Sequence, residues 1–186
     1  MDDIYLKKVT AGDTEAFRYF VNTYSQMAFT VAFGIVQNES LAEDIVQDAF
    51  MKAYKNIKRF RGEAKFSTWF YKIVSNTAFK KVKSRKAFYS FNEDIGADTV
   101  NDIEYHATDD LKAEEQKKYI NMALDQMTPR ESSVLKLFYL EELTLKEIGE
   151  VFNLSVEHTK VILYRARKQF YKVLEKELKH ELSSIL

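Results

Sequence analysis

Leu143-Thr144-Leu145-Lys146-Glu147-Ile148-Gly149-Glu150-Val151-Phe152-Asn153-Leu154-Ser155-Val156-Glu157-His158 is the stretch on which the fold turns. Thr144 followed three residues later by Glu147 is a capping-box signature, and it predicts a short helix over Leu145–Phe152. Asn153, Leu154 and Ser155 supply a tight turn, with Ser155 capping a last helix that runs beyond Leu178. Leu145, Ile148, Phe152, Leu154, Val156 and Leu163 stand at the inward spacing of a helix-turn-helix. Gly149 falls where two such helices approach closely, and a side chain would hold them apart.

The flanks continue the helical reading. Thr128, Pro129 and Glu131 repeat the start signal upstream, with proline at the first helical position. Before it, Leu111, Tyr119, Ile120, Ala123, Leu124 and Met127 recur at helical steps. From Ala87 to about Asp110 no period holds, which reads as a linker. In the N-terminal part, Phe17, Phe20, Val21, Tyr24, Ala28, Val31 and Ile35 form one face of a helix starting near Asp13. Ser40 and Glu43 read as the capping box of the next helix, whose stripe is Ala42, Val46, Ala49, Phe50, Ala53 and Ile57. Gly62 interrupts the pattern, and a further helix starts at Ser67 with Phe70, Ile73, Val74 and Thr77 inward. A short helix before Gly12 completes a bundle of about four. With one Pro and five Gly in 186 residues, and no sustained alternation, the fold class is all-α. The expected architecture is two small helical domains, 1–86 and 112–186, joined by a flexible acidic linker over 87–111.

The net charge of zero conceals a strong segregation. Residues 1–51 carry a net of −5, residues 52–86 a net of +11, residues 87–111 a net of −7 and the remainder +1. Segments so different imply different partners. The chain has no Cys, which excludes a disulfide framework, a thiolate metal site and a cysteine nucleophile. Three scattered histidines argue against a zinc centre, so neither metal nor cofactor is expected. The longest apolar run, Met27 to Val36, is about half of a bilayer span. Asp2 and Asp3 at the start do not resemble a secretory signal, and the expected location is the cytoplasm.

Residues 58–86 interleave cations with aromatics: Arg59-Phe60-Arg61, Lys65-Phe66, then Trp69, Tyr71 and Lys72. Cations track phosphates, and aromatic faces stack on unpaired bases at about 1–3 kcal/mol per base. The competing assignment places Phe66, Trp69 and Phe70 in the core. In the last helix, His158, Lys160, Tyr164, Arg165, Arg167 and Lys168 are expected outward, as phosphate-contacting groups. A stand-alone helix-turn-helix regulator accounts for that helix but leaves the basic-aromatic block and the acidic linker unexplained. An enzyme would need a nucleophile with supporting charges, and no such constellation is legible.

Together these motifs resemble the extracytoplasmic-function sigma factors of bacterial RNA polymerase. Ala42-Glu43-Asp44-Ile45-Val46-Gln47-Asp48-Ala49-Phe50 is similar to that family's polymerase-binding helix. Phe60-Arg61-Gly62, followed by Phe66-Ser67-Thr68-Trp69-Phe70-Tyr71-Lys72-Ile73 and Asn76, resembles its promoter-melting segment. Thr128-Pro129-Arg130-Glu131, Leu143 through Ile148 and Tyr164-Arg165-Ala166-Arg167-Lys168 resemble its upstream-reading domain. The resemblance implies that Asp44, Gln47, Asp48 and Met51 dock on the clamp helices of the largest core polymerase subunit, with the flap of the second subunit as a further contact. It implies minus-ten contacts from Arg59, Phe60, Arg61, Lys65, Phe66, Ser67, Thr68, Trp69, Tyr71, Lys72, Asn76, Lys80 and Lys83. For the upstream element it implies Lys146, Ser155, His158, Lys160, Val161, Tyr164, Arg165, Arg167 and Lys168. The acidic linker would thread a basic channel meant for RNA. The polymerase would supply all covalent chemistry, so the chain itself is not expected to be an enzyme. An anti-sigma factor or another DNA-targeting protein is a candidate further partner.

One departure bears on promoter choice. Where the family reads something like Gly-Thr-Val-Lys-Ser-Arg, this chain has Glu157-His158-Thr159-Lys160-Val161-Ile162. Branched apolar groups replace hydroxyl and guanidinium groups, and Glu157 adds a negative charge beside the DNA. A lost bidentate base contact costs about 1–3 kcal/mol. The exposed stripe Phe170, Leu174, Leu178 and Leu182 is then a candidate docking face for a helper protein. Randomising the minus-thirty-five element is expected to lower transcription in vitro by less than about a hundredfold, since roughly one to two decades is what one bidentate base contact supplies.

Overall fold

The computed structural model describes residues 1–84 and 113–185, and among them every regular element is helical. Helix α1 spans Asp2–Thr10, α2 Arg18–Val36, α3 Glu39–Asn56 and α4 Phe66–Ser84. The second group comprises α5 Ala113–Asp125, α6 Pro129–Tyr139, α7 Leu145–Phe152 and α8 Val156–Ile185. Short 3₁₀ turns at Glu15–Phe17 and Ile57–Arg59 precede α2 and close α3. The expected linker, 87–111, lies outside the described residues.

The start signals resolve differently from helix to helix. Thr144 and Glu147 form the full reciprocal box, and the Thr128 hydroxyl accepts the Glu131 N–H at 3.3 Å. Glu131 does not return a bond to the backbone of Thr128; its carboxylate takes the Thr128 hydroxyl proton instead, at 2.7 Å. Ser155 accepts the His158 N–H at 3.1 Å, as its position predicts. The Ser40 box does not form. Asn38 caps α3, accepting the Leu41 N–H at 2.9 Å, because Gln37 already turns the chain through the left-handed region one residue earlier. The α2 helix likewise begins at Arg18 rather than near Asp13, whose side chain caps the preceding turn by accepting the Ala16 N–H.

Phe20 and Tyr24 of α2, Phe50 of α3 and Phe66 and Phe70 of α4 form the centre of the N-terminal bundle. Ring centroids lie 4.3 Å apart for Phe20 and Phe66 and 4.4 Å apart for Phe50 and Phe70. Such pairs add about 0.5–1.5 kcal/mol each beyond the area they bury. The N-terminal helix is tied in by Asp2, which accepts protons from the hydroxyls of Tyr19 and Tyr24 at 2.9 and 2.6 Å. Burial first, and the Asp2 carboxylate second, push the Tyr24 phenol far above its usual range, so it stays a donor.

The two helical groups are not separate bodies. Helix α6 crosses α2, α7 lies against α4, and one buried cluster runs through both groups. The approach is closest at Gly34, where an added Cβ would stand 2.5 Å from Ser133 Oγ and 3.3 Å from the Pro129 carbonyl. The Ser133 hydroxyl lies 2.9 Å from the Thr30 carbonyl of α2 and 2.6 Å from the Pro129 carbonyl of its own helix.

Within the C-terminal group, α7 and α8 meet at the turn that the sequence announces. Asn153 takes the left-handed conformation (φ 58°), and the Leu154 N–H bonds back to Gly149 O at 2.8 Å. A Cβ at Gly149 would meet the Leu154 carbonyl at 2.9 Å and Thr159 Oγ1 at 3.1 Å. Ile120 and Val156, expected inward, are 43% exposed, because each stands on the outer flank of its helix. Gly149→Ala is expected to destabilise the chain by about 1–3 kcal/mol through overpacking against backbone. A lowered urea midpoint with an unchanged slope is the expected reading.

Candidate nucleic-acid interface

Between α3 and α4 lies an open groove of about 420 Å³, lined by Lys52, Asn56, Arg59, Trp69, Ile73, Asn76, Thr77 and Lys80. Helical arithmetic explains the lining. Residues 69, 73, 76 and 80 follow one face of α4, and 52 and 56 are one turn apart on α3. The opposite face of α4 carries Phe70, Val74 and Ala78 into the bundle, each fully buried. Lys52 Nζ donates to Thr77 Oγ1 at 3.0 Å, and Thr77 passes its own proton to the Ile73 carbonyl at 2.7 Å. The floor is Trp69, half-buried, with its ring 5.2 Å from that of Phe60 and 5.5 Å from that of Phe66. The groove therefore offers an aromatic face, amide side chains and three cations to one ligand.

Of the minus-ten residues expected from sequence, Arg59, Trp69, Asn76 and Lys80 come together here. Phe60 supports the floor from the loop. Arg61 is exposed beside Glu63 at 3.8 Å, and Lys83 is exposed near the end of α4. Four expectations are corrected. Phe66 and Tyr71 are core, 2% and 0% exposed, and Ser67 and Thr68 are buried as well. Phe66 belongs to the aromatic centre. Thr68 is covered by α7, and its hydroxyl donates to Glu147 Oε1 at 3.0 Å. Burial chiefly, and the neighbouring Glu141 carboxylate next, push the Tyr71 phenol far above its usual range. Lys65 and Lys72 do not face open solvent alone, since they pair with Glu142 at 3.9 Å and Glu150 at 2.6 Å. Lys52, Asn56 and Thr77 were missed. The four-residue step from Lys52 to Asn56, facing the Trp69–Asn76 stripe, is the signal that could have found them.

On the outer face of α3, Asp44, Gln47 and Met51 are exposed and Asp48 is half-buried, at the i, i+3, i+4, i+7 spacing of one surface. Asp48 Oδ2 lies 3.4 Å from Lys81 Nζ of α4. This acidic surface and the basic groove thus occupy adjoining sides of the same helix pair.

In the helix-turn-helix, Lys146, Ser155, Lys160 and Lys168 are exposed, and His158, Val161, Tyr164 and Arg165 are half-buried. Arg167 serves the fold as well as the surface, because its guanidinium lies over the rings of Phe138 and Tyr139 at 5.2 and 5.5 Å. Ile162 is core, 8% exposed, so it replaces no base-contacting group. Only Val161 of that pair reaches the outer face. Phe170 packs against the core, and the side chains at 178 and 182 lie outside the described residues, so the apolar stripe of α8 stays an expectation from sequence.

Comparison with known proteins follows the same division. Residues 20–88 match the family described as Sigma-70 region 2, and residues 123–172 match Sigma-70, region 4. The chain is 30% identical over 176 residues to the ECF RNA polymerase sigma factor SigW of Bacillus subtilis, covering 91% of this chain and 94% of that protein. It is 28% identical to an ECF RNA polymerase sigma-E factor of Haemophilus influenzae, covering 90% and 92%. Among solved structures, the sigma factor RpoE of Bartonella quintana, in complex with the anti-sigma factor NepR, shares the fold with a TM-score of 0.55 at 16% identity, over 87% of this chain and 98% of that one. CnrH in complex with the cytosolic domain of CnrY does so with a TM-score of 0.53 at 19% identity, over 93% and 96%. The match to both regions sets aside the stand-alone regulator. The chain belongs to the extracytoplasmic-function sigma factors, which bind core RNA polymerase and direct it to promoter DNA.

Proposed function

We propose that the groove between α3 and α4 is where this sigma factor engages the minus-ten element. The observation that supports this is the convergence of Lys52, Arg59 and Lys80 with Trp69, Asn56 and Asn76 around one opening. The cations neutralise phosphates, the indole stacks on a base released from the duplex, and the two amides read base edges. Arg61, Lys65, Lys72 and Lys83 extend the positive surface along the backbone. The outer face of α3, with Asp44, Gln47, Asp48 and Met51, docks on the clamp helices of the polymerase. The helix-turn-helix reads the upstream element through Lys146, Ser155, His158, Lys160, Val161, Tyr164, Arg165, Arg167 and Lys168. The working units are 1–86 and 112–186, with 87–111 between them. The chain performs no catalysis of its own and works in the cytoplasm, where its polymerase is. No described helix is long and apolar enough to cross a membrane. Because the RpoE and CnrH structures are complexes with NepR and CnrY, an anti-sigma factor is a fitting partner here too.

Trp69→Ala in the holoenzyme is expected to lower permanganate reactivity of minus-ten thymines about tenfold or more, as loss of one stacked base predicts. Recruitment to duplex should stay within a factor of about two, because stacking acts only on unpaired bases. Unchanged thymine reactivity in a variant of wild-type thermal stability would remove Trp69 from the melting step.

Lys80→Ala tests the phosphate role separately. Promoter binding by holoenzyme should weaken about equally across sequences, and the slope of log affinity against log salt should fall by about one. Asp44→Lys, at an exposed position, should instead sharply reduce copurification with core polymerase, while leaving the unfolding free energy within about 0.5 kcal/mol of wild type.

A further inference from the structure

Arg167 is held between rings rather than beside an anion. Its guanidinium carbon lies 5.2 Å from the ring centre of Phe138 and 5.5 Å from that of Tyr139, the last two residues of α6. Those two rings stand at 78° to one another with centroids 5.1 Å apart, so they form a two-walled corner. A single ring lets a cation slide and turn over its face; a corner fixes both its place and its plane. The rings attract the charge through their quadrupoles, but they give its N–H groups no oxygen to bond. Arg167 Nε is buried without a hydrogen-bond partner, and among the described residues no carboxylate pairs with the group. Lys65, Lys72 and Lys81, by contrast, each have a carboxylate neighbour. Arg167 is thus an oriented fork of donors whose counter-charge the described chain does not provide.

Its place on α8 indicates the missing anion. Thr159, Ile162, Leu163, Ala166 and Val173 are buried and mark the inner face of the helix. At about 100° per residue, Glu157, Val161, Tyr164 and Lys168 fall opposite them, on the side that a recognition helix turns to base edges. Arg167 falls about a quarter-turn from that stripe, on the flank beside the end of α6. A major groove about 12 Å wide has a sugar-phosphate strand along each edge, so flank residues of a helix inside it meet phosphates rather than bases. A planar fork of donors suits a phosphate. Tyr139 is 56% exposed, so the corner stands at the surface, within reach of a duplex.

We propose that Tyr139 is a positioning residue for upstream DNA: with Phe138 it holds the Arg167 guanidinium ready for one backbone phosphate beside the upstream element. This rests on the reading of α8 as the upstream-reading helix. Arg167 is the contacting group, and Tyr139 acts only through it. Holding the fork in advance removes the cost of ordering a long side chain on binding, which is how pre-organisation raises affinity. Phe138 packs against the core as well, whereas Tyr139 does not, so the exposed ring is the one that can be altered without loosening the fold.

The test uses holoenzyme and a duplex promoter fragment on which it forms open complexes, with affinity measured across a salt series and unfolding midpoints measured for every variant. Tyr139→Leu should weaken binding about two- to fivefold, the range of one cation–aromatic contact at a surface, with the slope of log affinity against log salt unchanged. Tyr139→Phe keeps the ring and should bind as wild type does. Arg167→Lys keeps the charge but presents no planar fork, and should behave like Tyr139→Leu. Arg167→Met should lower the slope by about one, and equally for promoters of different upstream sequence. In the Arg167→Met chain, Tyr139→Leu should have no further effect. A full Tyr139→Leu loss in that chain would show that the ring acts elsewhere and overturn the proposal. Wild-type binding by a folded Tyr139→Leu chain, or an equal loss in Tyr139→Phe, would overturn it too. Lys168→Ala separates the two readings. If it lowers the slope while Arg167→Met does not, α8 still reads the upstream element and the Arg167 contact fails. If neither alters the slope, the reading of α8 fails and the proposal falls with it.

Discussion

Phe66 and Phe70, one helical turn apart on α4, are held between Phe20 of α2 and Phe50 of α3, and the geometry of everything else follows from that grip. It fixes the rotation of α4 about its own axis. Once Phe70, Val74 and Ala78 point inward, Trp69, Ile73, Asn76 and Lys80 must face α3's flank, and Thr68 and Lys72 must face the other way. The helix therefore has three occupied sides: one in the bundle, one in the groove and one under α7. A change in the size of either phenylalanine would rotate a DNA-binding face as well as loosen a core.

Charge segregation makes sense on this frame. A helix pair that gathers so many cations repels itself unless anions are near. Some of that relief is internal: Asp48 serves Lys81, Glu150 serves Lys72, and Glu142 serves Lys65. The groove cations are relieved less. Lys52 spends one proton on the Thr77 hydroxyl, a neutral acceptor, and so keeps its positive charge available to a phosphate. Polyanion binding is favourable here because it removes repulsion as well as adding contacts.

Local signals were the legible part. The Thr128, Thr144 and Ser155 caps, the Gly149 contact and the turn at Asn153 are each decided within a few residues, and the helical class and the two-group order follow from them. Asn38 displaced Ser40 because the preceding left-handed turn at Gln37, rather than a polar triplet, set where α3 starts. The candidate site was only half legible, for a physical reason. Ser67, Thr68 and Tyr71 look like a polar-aromatic DNA face because their covering partner, α7 and the loop before it, lies about 70 to 80 residues away in sequence. A period reveals that a face is apolar; it does not reveal that a second buried face exists on the same helix. Lys52 and Asn56 were passed over for the converse reason, being polar residues whose meaning appears only opposite Trp69 and Asn76.

Ser133 has a single hydroxyl proton and two carbonyls within reach, one across the seam and one in its own helix. It can serve Thr30 across the seam, and Pro129 stands ready as a second acceptor at 2.6 Å. The Thr30 carbonyl loses little, since it sits in mid-helix where the backbone already offers it a donor. Separation therefore strands no donor, and the usual penalty of about 1–3 kcal/mol for an unsatisfied buried polar group does not arise at this contact. The contact therefore seats α6 on α2 without either helix depending on it for a satisfied backbone group.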